Sequence, residues 1–413
     1  MAYYMNTKFF RITVGVFIIL SFFCGTACVK AYGQAQAHGQ AQAQAQAQPV
    51  EVGASRTELY FPMLKDKTIA VVSNQTGEFA GVHLVDTLLS AGFPIIKVFS
   101  PEHGFRGQAE AGKKVDNQID EKTGLPVISL YGSHKKPTPE DLKGIDLVVF
   151  DLQDVGVRFY TYISTLHYVM EACAEQGIPV VVLDRPNPHV GYIDGPVLDT
   201  ACCRSFIGMH PVPVVYGMTI GEYARMIAGE GWLKTQKPCT LHVIPLQGCT
   251  RATAYSFPVW PSPNLRSMKA IYAYPGLCLL EGTPVSMGRG TWQPFECYGF
   301  EGCEEGDYTF TPRPIEGLSA HPPLQDKECR GWRVPDSLTR QLPRQLDLQP
   351  LLRMYRNYPD KARFFTSFFS KLAGTPRLAE QIGQGASEEE IRASWVKDLK
   401  EFEKIRQKYL LYK

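Results

Sequence analysis

The sequence has no surplus of charge of either sign: 43 Lys and Arg stand against 41 Asp and Glu, a net charge of +2. That balance excludes the basic excess on which nucleic-acid binding relies. No Cys-x-x-Cys pair or Cys/His spacing marks a zinc site, and no His-Glu-x-x-His is present, so no metal is expected. The Gly-x-Gly-x-x-Gly fingerprint is also missing after the first predicted strand, where Ser73-Asn74-Gln75-Thr76-Gly77 stands instead. A nicotinamide enzyme is thereby disfavoured, and no cofactor is expected. The apolar run 12–23 is too short for a comfortable membrane span. It follows Lys8 and Arg11 and precedes Gly25-Thr26-Ala27-Cys28, the layout of a secretory signal peptide.

What is present begins with that signal, assigned to 1–28, and a Gln/Ala-rich low-complexity linker, assigned to 29–56. The chain is therefore expected to be exported, to the periplasm or cell envelope. A membrane enters only through a candidate lipid anchor at Cys28, although Gly25 sits where that signal usually wants an apolar residue. Nine of the 11 cysteines follow the linker. Export permits disulfides, and Cys239/Cys249 and Cys297/Cys303 are close enough in sequence to pair, but scattered buried thiols are the favoured reading.

Continuous apolar runs at 68–72, 94–99, 125–130, 145–150 and 178–183 predict five strands, with helices over 82–91 and 160–176 stopping at Gly92 and Gly177. Such runs separated by helices imply parallel strands covered on both faces. Right-handed crossovers then bring every strand end to one edge, where α/β proteins bind ligands. That edge carries Asn74 and Gln75, then Glu102 and His103 with Arg106, then Asp151 and Asp154, then Asp184 and Arg185. The densest of these ends is 100–107, Ser-Pro-Glu-His-Gly-Phe-Arg-Gly.

Beyond the fifth strand, Thr219 and Glu222 form a capping box for a helix over 220–228. Trp260-Pro261-Ser262-Pro263-Asn264 marks a boundary near 265, dividing a 57–265 domain from a 266–413 domain. Past it, 274–290 leads from an apolar stretch into an acidic, glycine-rich loop with Glu281 and Arg289, followed by Glu296. Helices are expected over 348–355 and 364–372. Ser387 is expected to cap one last helix with Ile391, Trp395, Leu399, Phe402 and Ile405 on one face.

Val-Ser-Asn-Gln-Thr-Gly, Ser-Pro-Glu-His-Gly-Phe-Arg-Gly, Asp-Leu-Gln-Asp-Val-Gly-Val-Arg-Phe-Tyr-Thr-Tyr, Asp-Arg-Pro-Asn-Pro and Leu-Leu-Glu-Gly-Thr, in this order from about Lys67 onward, resemble the exo-β-N-acetylmuramidases of the NamZ type. The resemblance implies an α/β fold: a Rossmann-like parallel sheet domain, a smaller α+β C-terminal domain and an active-site cleft between them. It also implies release of N-acetylmuramic acid from the non-reducing end of peptidoglycan fragments, so the expected partners are small muropeptides. Met287 and Tyr216 depart from the pattern, where an acidic residue and a histidine are expected.

Glycoside hydrolysis needs an acid for the leaving oxygen and a group to attack or support the cationic sugar carbon. The resemblance places Glu102 as the acid; His103 beside it is open to steering Glu102 or to binding a sugar hydroxyl. Asp151, Asp154, Asp184, Glu281 and Glu296 remain open as the second group, as does the acetamido carbonyl of the substrate itself. The lactyl carboxylate of the substrate calls for arginine, offered by Arg106, Arg158, Arg185 and Arg289. Asn74, Gln75 and Asn264 suit sugar hydroxyls, and Tyr160, Tyr162 and Trp292 suit a sugar face. Two rivals stand beside this reading: a metal-dependent hydrolase built from His103, Asp151, Asp154 and His189, and a muropeptide-binding protein without turnover.

Overall fold

The computed structural model describes residues 50–102, 104–106 and 117–413; the signal, Cys28 and His103 assignments and linker residues 29–49 lie outside them, whereas linker residues 50–56 lie within. Val50–Lys413 forms one compact unit. Its centre is a seven-stranded sheet in the order β5-β6-β4-β1-β7-β8-β9. The strands are β1 (Ile69–Ser73), β4 (Ile95–Ser100), β5 (Gln118–Ile119), β6 (Pro126–Ser129), β7 (Leu147–Asp151), β8 (Val180–Leu183) and β9 (Leu241–Ile244). All neighbours pair in parallel except the edge strand β5. Leaving β5 aside, the order is that of a doubly wound Rossmann sheet, with its topological switch point between β1 and β7.

Alternation along each strand divides the apolar residues between two cores. Ala70, Val72, Phe150 and Val182 join one, and Ile69, Val71, Val149 and Val181 the other. Helix α1 (Thr57–Leu64) and α2 (Leu84–Ser90) pack with the second core through Tyr60, Leu64, Leu84 and Leu88. Helix α3 (Tyr162–Gln176) and α4 (Ile220–Gly229) pack with the first. The chain before the first strand is part of the fold, since Glu51 bridges Gln247 and Gly53 N–H donates to Asp184 O at 2.8 Å.

The smaller C-terminal part opens with α5 (Met268–Leu277). It continues through an antiparallel sheet of β10 (Cys297–Glu301), β11 (Tyr308–Phe310) and β12 (Cys329–Arg333). It ends in α6 (Gln349–Asn357), α7 (Phe369–Ala373), α8 (Arg377–Gly383), α9 (Glu388–Ala393) and α10 (Val396–Arg406). Leu277, Leu348, Phe369 and Phe402 belong to the same core as Val72 and Phe150, so apolar packing runs unbroken from the sheet into this part.

Several expectations need correcting. The predicted helix over 82–91 begins only at Leu84, because Val82–His83 pairs with Glu78–Phe79 as a small hairpin (β2 and β3). Strand β9 and helix α5 were not anticipated. The single last helix is two, α9 and α10, broken at Ser394 and Trp395, where the Ser394 hydroxyl donates to Ile391 O at 2.7 Å and competes with the helix ladder. The expected Thr219–Glu222 capping box forms, and Ser387 caps α9 as expected, in a second box with Glu390. All nine described cysteines are free thiols. No helix among the described residues is long and apolar enough to cross a membrane.

Candidate functional site

The loop after β4 turns at Gly104 (φ +74°), where Gly104 N–H donates to Pro101 O at 3.2 Å. Phe105 anchors it, fully buried with its ring edge-on to His83 at 5.0 Å. Glu102 is thereby held on the rim, partly buried, and accepts from the Thr161 hydroxyl at 3.5 Å at the start of α3. The next strand end, after β6, supplies Tyr131. Burial, then the charge of Glu102 and a hydrogen bond to it, push the Tyr131 phenol above the ordinary tyrosine range. It remains a proton donor throughout the neutral range.

Glu102 and Tyr131 open into a cavity of about 490 Å³. One wall comes from the sheet edge and from Phe159 and Phe206. The facing wall comes from the C-terminal part, through Tyr274, Glu281, Met287, Arg289 and His321. The size suits a single sugar residue with its substituents. Glu281 accepts from Arg289 Nε at 2.9 Å and Nη2 at 2.6 Å. Burial works against the charge of Arg289, and the Glu281 carboxylate more than offsets it, so the guanidinium stays charged. A partly buried carboxyl, a donor phenol, an ion pair and aromatic walls in one cleft are the parts that acid-assisted cleavage of a polar, ring-shaped substrate requires.

Three of the proposed residues therefore meet in the cavity: Glu102, Glu281 and Arg289. The remaining described ones do not line it. Asp151 accepts from Arg185 Nε at 2.5 Å and Nη2 at 2.9 Å in a fully buried pair. Asp184 accepts from Gly221 N–H at 2.8 Å, the Thr219 hydroxyl at 2.7 Å and the Tyr412 hydroxyl at 2.5 Å, tying the start of α4 and the chain end to the sheet. Burial pushes its carboxyl up to about 7. Arg106 is held by Asp120 at 3.0 and 2.8 Å. Arg158 is fully buried and donates to the carbonyls of Pro196, Val212 and Leu372 at 2.8, 2.8 and 2.9 Å. Burial lowers it to about 10.

Asp154 is buried, accepts from Gly156 N–H at 2.6 Å and from the Tyr216 hydroxyl, and has no partner at Oδ1 among the described residues. Burial pushes it up to about 7, against those two bonds. Tyr216, one of the two departures, thus acts on Asp154, whereas Met287, the other, lines the cavity.

The residues chosen for sugar hydroxyls and faces hold one proline-rich segment instead. Tyr160 and Tyr162 donate to Pro261 O at 2.8 and 3.3 Å, and Gln75 donates to Trp260 O at 3.2 Å. Asn74 donates to the Tyr162 hydroxyl at 2.6 Å. Asn264 donates to Leu318 O at 2.9 Å, behind the cavity wall. Glu296 is bound by Ser267 and Lys269, and Trp292 is 75% exposed. His189 is bonded to Val155 O at 2.8 Å and burial lowers it to about 4. Among the described residues no three His, Cys, Asp or Glu side chains gather as metal ligands; His103 of the metal-hydrolase constellation lies outside them.

Sequence reasoning overlooked Tyr131, Tyr274 and His321. Tyr131 had a signal, because it ends a predicted strand like the others. Tyr274 lies on an unpredicted helix, and His321 lies in a loop without pattern. A second cavity of about 480 Å³, floored by Leu198, Trp395 and Phe402, receives no strand end.

Comparison with known proteins adds the following. Residues 69–269 match the N-terminal domain model of exo-β-N-acetylmuramidase NamZ, and residues 272–412 match its C-terminal domain model. The peptidoglycan β-N-acetylmuramidase NamZ of Bacillus subtilis (strain 168) is 40% identical over 374 residues, which cover 86% of this chain and 89% of that protein. A crystal structure of a DUF1343 family protein from Bacteroides fragilis NCTC 9343 is 43% identical, with a TM-score of 0.81 over 89% of this chain and 99% of that one. A second from the same organism is 30% identical, with a TM-score of 0.75 over 88% and 99%.

Proposed function

Since the chain belongs to the exo-β-N-acetylmuramidase NamZ family, we propose that it is a glycoside hydrolase that removes N-acetylmuramic acid from the non-reducing end of peptidoglycan fragments. We place it outside the cytoplasm, in the periplasm or cell envelope, serving cell-wall turnover or recovery. The signal-like 1–28 segment supports that placement, and Cys28 is the candidate lipid anchor. The observation that carries the activity is the convergence of Glu102 and the Glu281–Arg289 pair on one aromatic-walled cavity at the carboxyl edge of the sheet.

In this reading Glu102 protonates the glycosidic oxygen as the bond to the anomeric carbon breaks. Tyr131 and Thr161 fix its carboxyl. Positive charge then grows on the sugar carbon. Two groups meet that need: the Glu281 carboxylate in the same cavity, and the acetamido carbonyl that the substrate brings with it. One water then adds to the anomeric carbon and its proton returns to the Glu102 carboxylate, which balances the hydrolysis, while the aromatic walls keep out other water.

The test is hydrolysis of a chromogenic β-N-acetylmuramide beside the matching β-N-acetylglucosaminide, with and without chelator. Cleavage of the muramide alone, unaffected by chelator, is the expected result. Cleavage of neither sugar, with tight muropeptide binding, would replace the hydrolase by a binding protein, and loss of activity on chelation would return the metal-hydrolase reading. For localisation, the mass of the mature chain isolated from its envelope fraction reports signal removal or acylation at Cys28. A full-length cytoplasmic chain refutes export.

A further inference from the structure

Resting on the muramidase reading, we propose that Arg289 reads the lactyl carboxylate that distinguishes N-acetylmuramic acid from N-acetylglucosamine, and that Glu281 holds Arg289 in position for it. The substrate carries one fixed negative charge in that substituent, and arginine matches a carboxylate with two parallel N–H donors. Four arginines follow the strand ends and the glycine-rich loop. Arg106 is spent on Asp120, Arg185 on Asp151, and Arg158 on three backbone carbonyls. Arg289 is the one arginine among the described residues lining the cavity.

The backbone around Arg289 is clamped. Gly288 and Gly290 flank it at φ +82° and +79°, the left-handed region that glycine enters freely. A Cβ on Gly290 would lie 2.5 Å from Pro322 Cβ, and one on Gly288 would lie 2.8 Å from Gln293 O. The Thr291 hydroxyl donates to Gly288 O at 2.7 Å and Phe295 N–H to Met287 O at 2.8 Å, closing the loop on itself. The guanidinium lies 5.0 Å from the Phe295 ring centre and is braced by Glu281 through Nε and Nη2. Nη1 makes no hydrogen bond to a described residue, so one donor edge is available for a ligand.

Because Glu281 already balances its charge, Arg289 is not an open anion trap. A carboxylate gains only where it reaches Nη1 and the second proton of Nη2, so recognition depends on geometry as well as charge. Such pre-placed donors lower the ordering cost of binding.

The test compares kcat/KM for a chromogenic β-N-acetylmuramide, its lactyl amide and the β-N-acetylglucosaminide, for wild type, Arg289→Gln and Arg289→Lys. Wild type is expected to favour the acid over the amide by about 10- to 100-fold, the range of a charge-assisted contact. Arg289→Gln is expected to bring the acid down to the amide, and Arg289→Lys to restore part of the difference. The ratio within each variant does not depend on how much of it is folded. An unchanged acid-to-amide ratio in Arg289→Gln, or no preference in wild type, overturns the inference. Wild type that cleaves none of the three sugars overturns the muramidase reading and this inference with it, and the wild-type data alone reveal that case.

Discussion

Asp154 was a candidate for the second catalytic group, and its surroundings give it a different, measurable signature. It is fully buried, its Oδ1 has no partner among the described residues, and burial pushes its carboxyl from 3.8 up to about 7. A raised carboxyl favours the neutral form in the folded state. Below about pH 4 both folded and unfolded chains hold the proton, and this group imposes no penalty. As pH rises, the unfolded chain ionises first, and stability falls by about 1.4 kcal/mol per pH unit until the folded carboxyl also ionises near pH 7. The full loss is roughly 3 units, on the order of 4 kcal/mol, as an upper figure for one isolated group. Asp154→Asn removes this slope while every other group titrates as before. Urea unfolding of both proteins from pH 4 to 8 isolates it: the stability of Asp154→Asn relative to wild type should rise by several kcal/mol between pH 4 and 7 and then level off. A difference that stays flat across that range refutes the reasoning.

Glu102→Gln removes the proton donor without changing volume, and kcat on the muramide should fall about 10²-fold or more while the thermal midpoint stays in place. Equal loss of folding and activity would count against it. Asp151→Ala leaves Arg185 buried and uncompensated, at a cost of about 3–5 kcal/mol in urea unfolding, and Asp151→Leu with Arg185→Met should recover much of that. Gly290→Ala forces a left-handed backbone on a residue with a Cβ and pushes it against Pro322. It should lose about 1–3 kcal/mol of stability and raise KM for the muramide. Glu281→Gln keeps the size of the brace but drops the negative charge that balances Arg289, so the acid-to-amide preference should grow, read from the same three substrates.

The five central strands were legible because each is a continuous apolar run bounded by glycine, proline or charge, as a strand covered on both faces must be. Strand β9 was not: Leu241-His242-Val243-Ile244 is a half-exposed edge strand with a short, mixed pattern. The hairpin at 78–83 turns on Ala80 and Gly81, with φ +50° and +77°, and lacks the Asn-Gly or Asp-Gly signal that such turns usually show. Helix α5 was hidden because Pro275 and Gly276 lie in its last turn, where a reader of the sequence would end a helix rather than continue one.

The candidate site shows why a charge at a strand end is an ambiguous signal. In a doubly wound sheet the ligand crevice is expected at the switch point, here between β1 and β7. Asp151 ends β7, and Arg185 follows β8, its neighbour in the sheet. Adjacent strands lie about 4.8 Å apart, so opposite charges on neighbouring ends find each other before they find a ligand. The Asp151–Arg185 pair fills that edge. Strand β4 lies between β1 and β6. Those neighbours end in the Asn74 amide and the Tyr131 phenol, neither of which is a cation. Glu102 lines the cavity one strand away from the switch point, opposite the loop that carries Arg289. Chain spacing alone does not separate Asp151 from Glu102. Strand order does: the end beside Asp151 carries the Arg185 cation, and the ends beside Glu102 carry the Asn74 amide and the Tyr131 phenol.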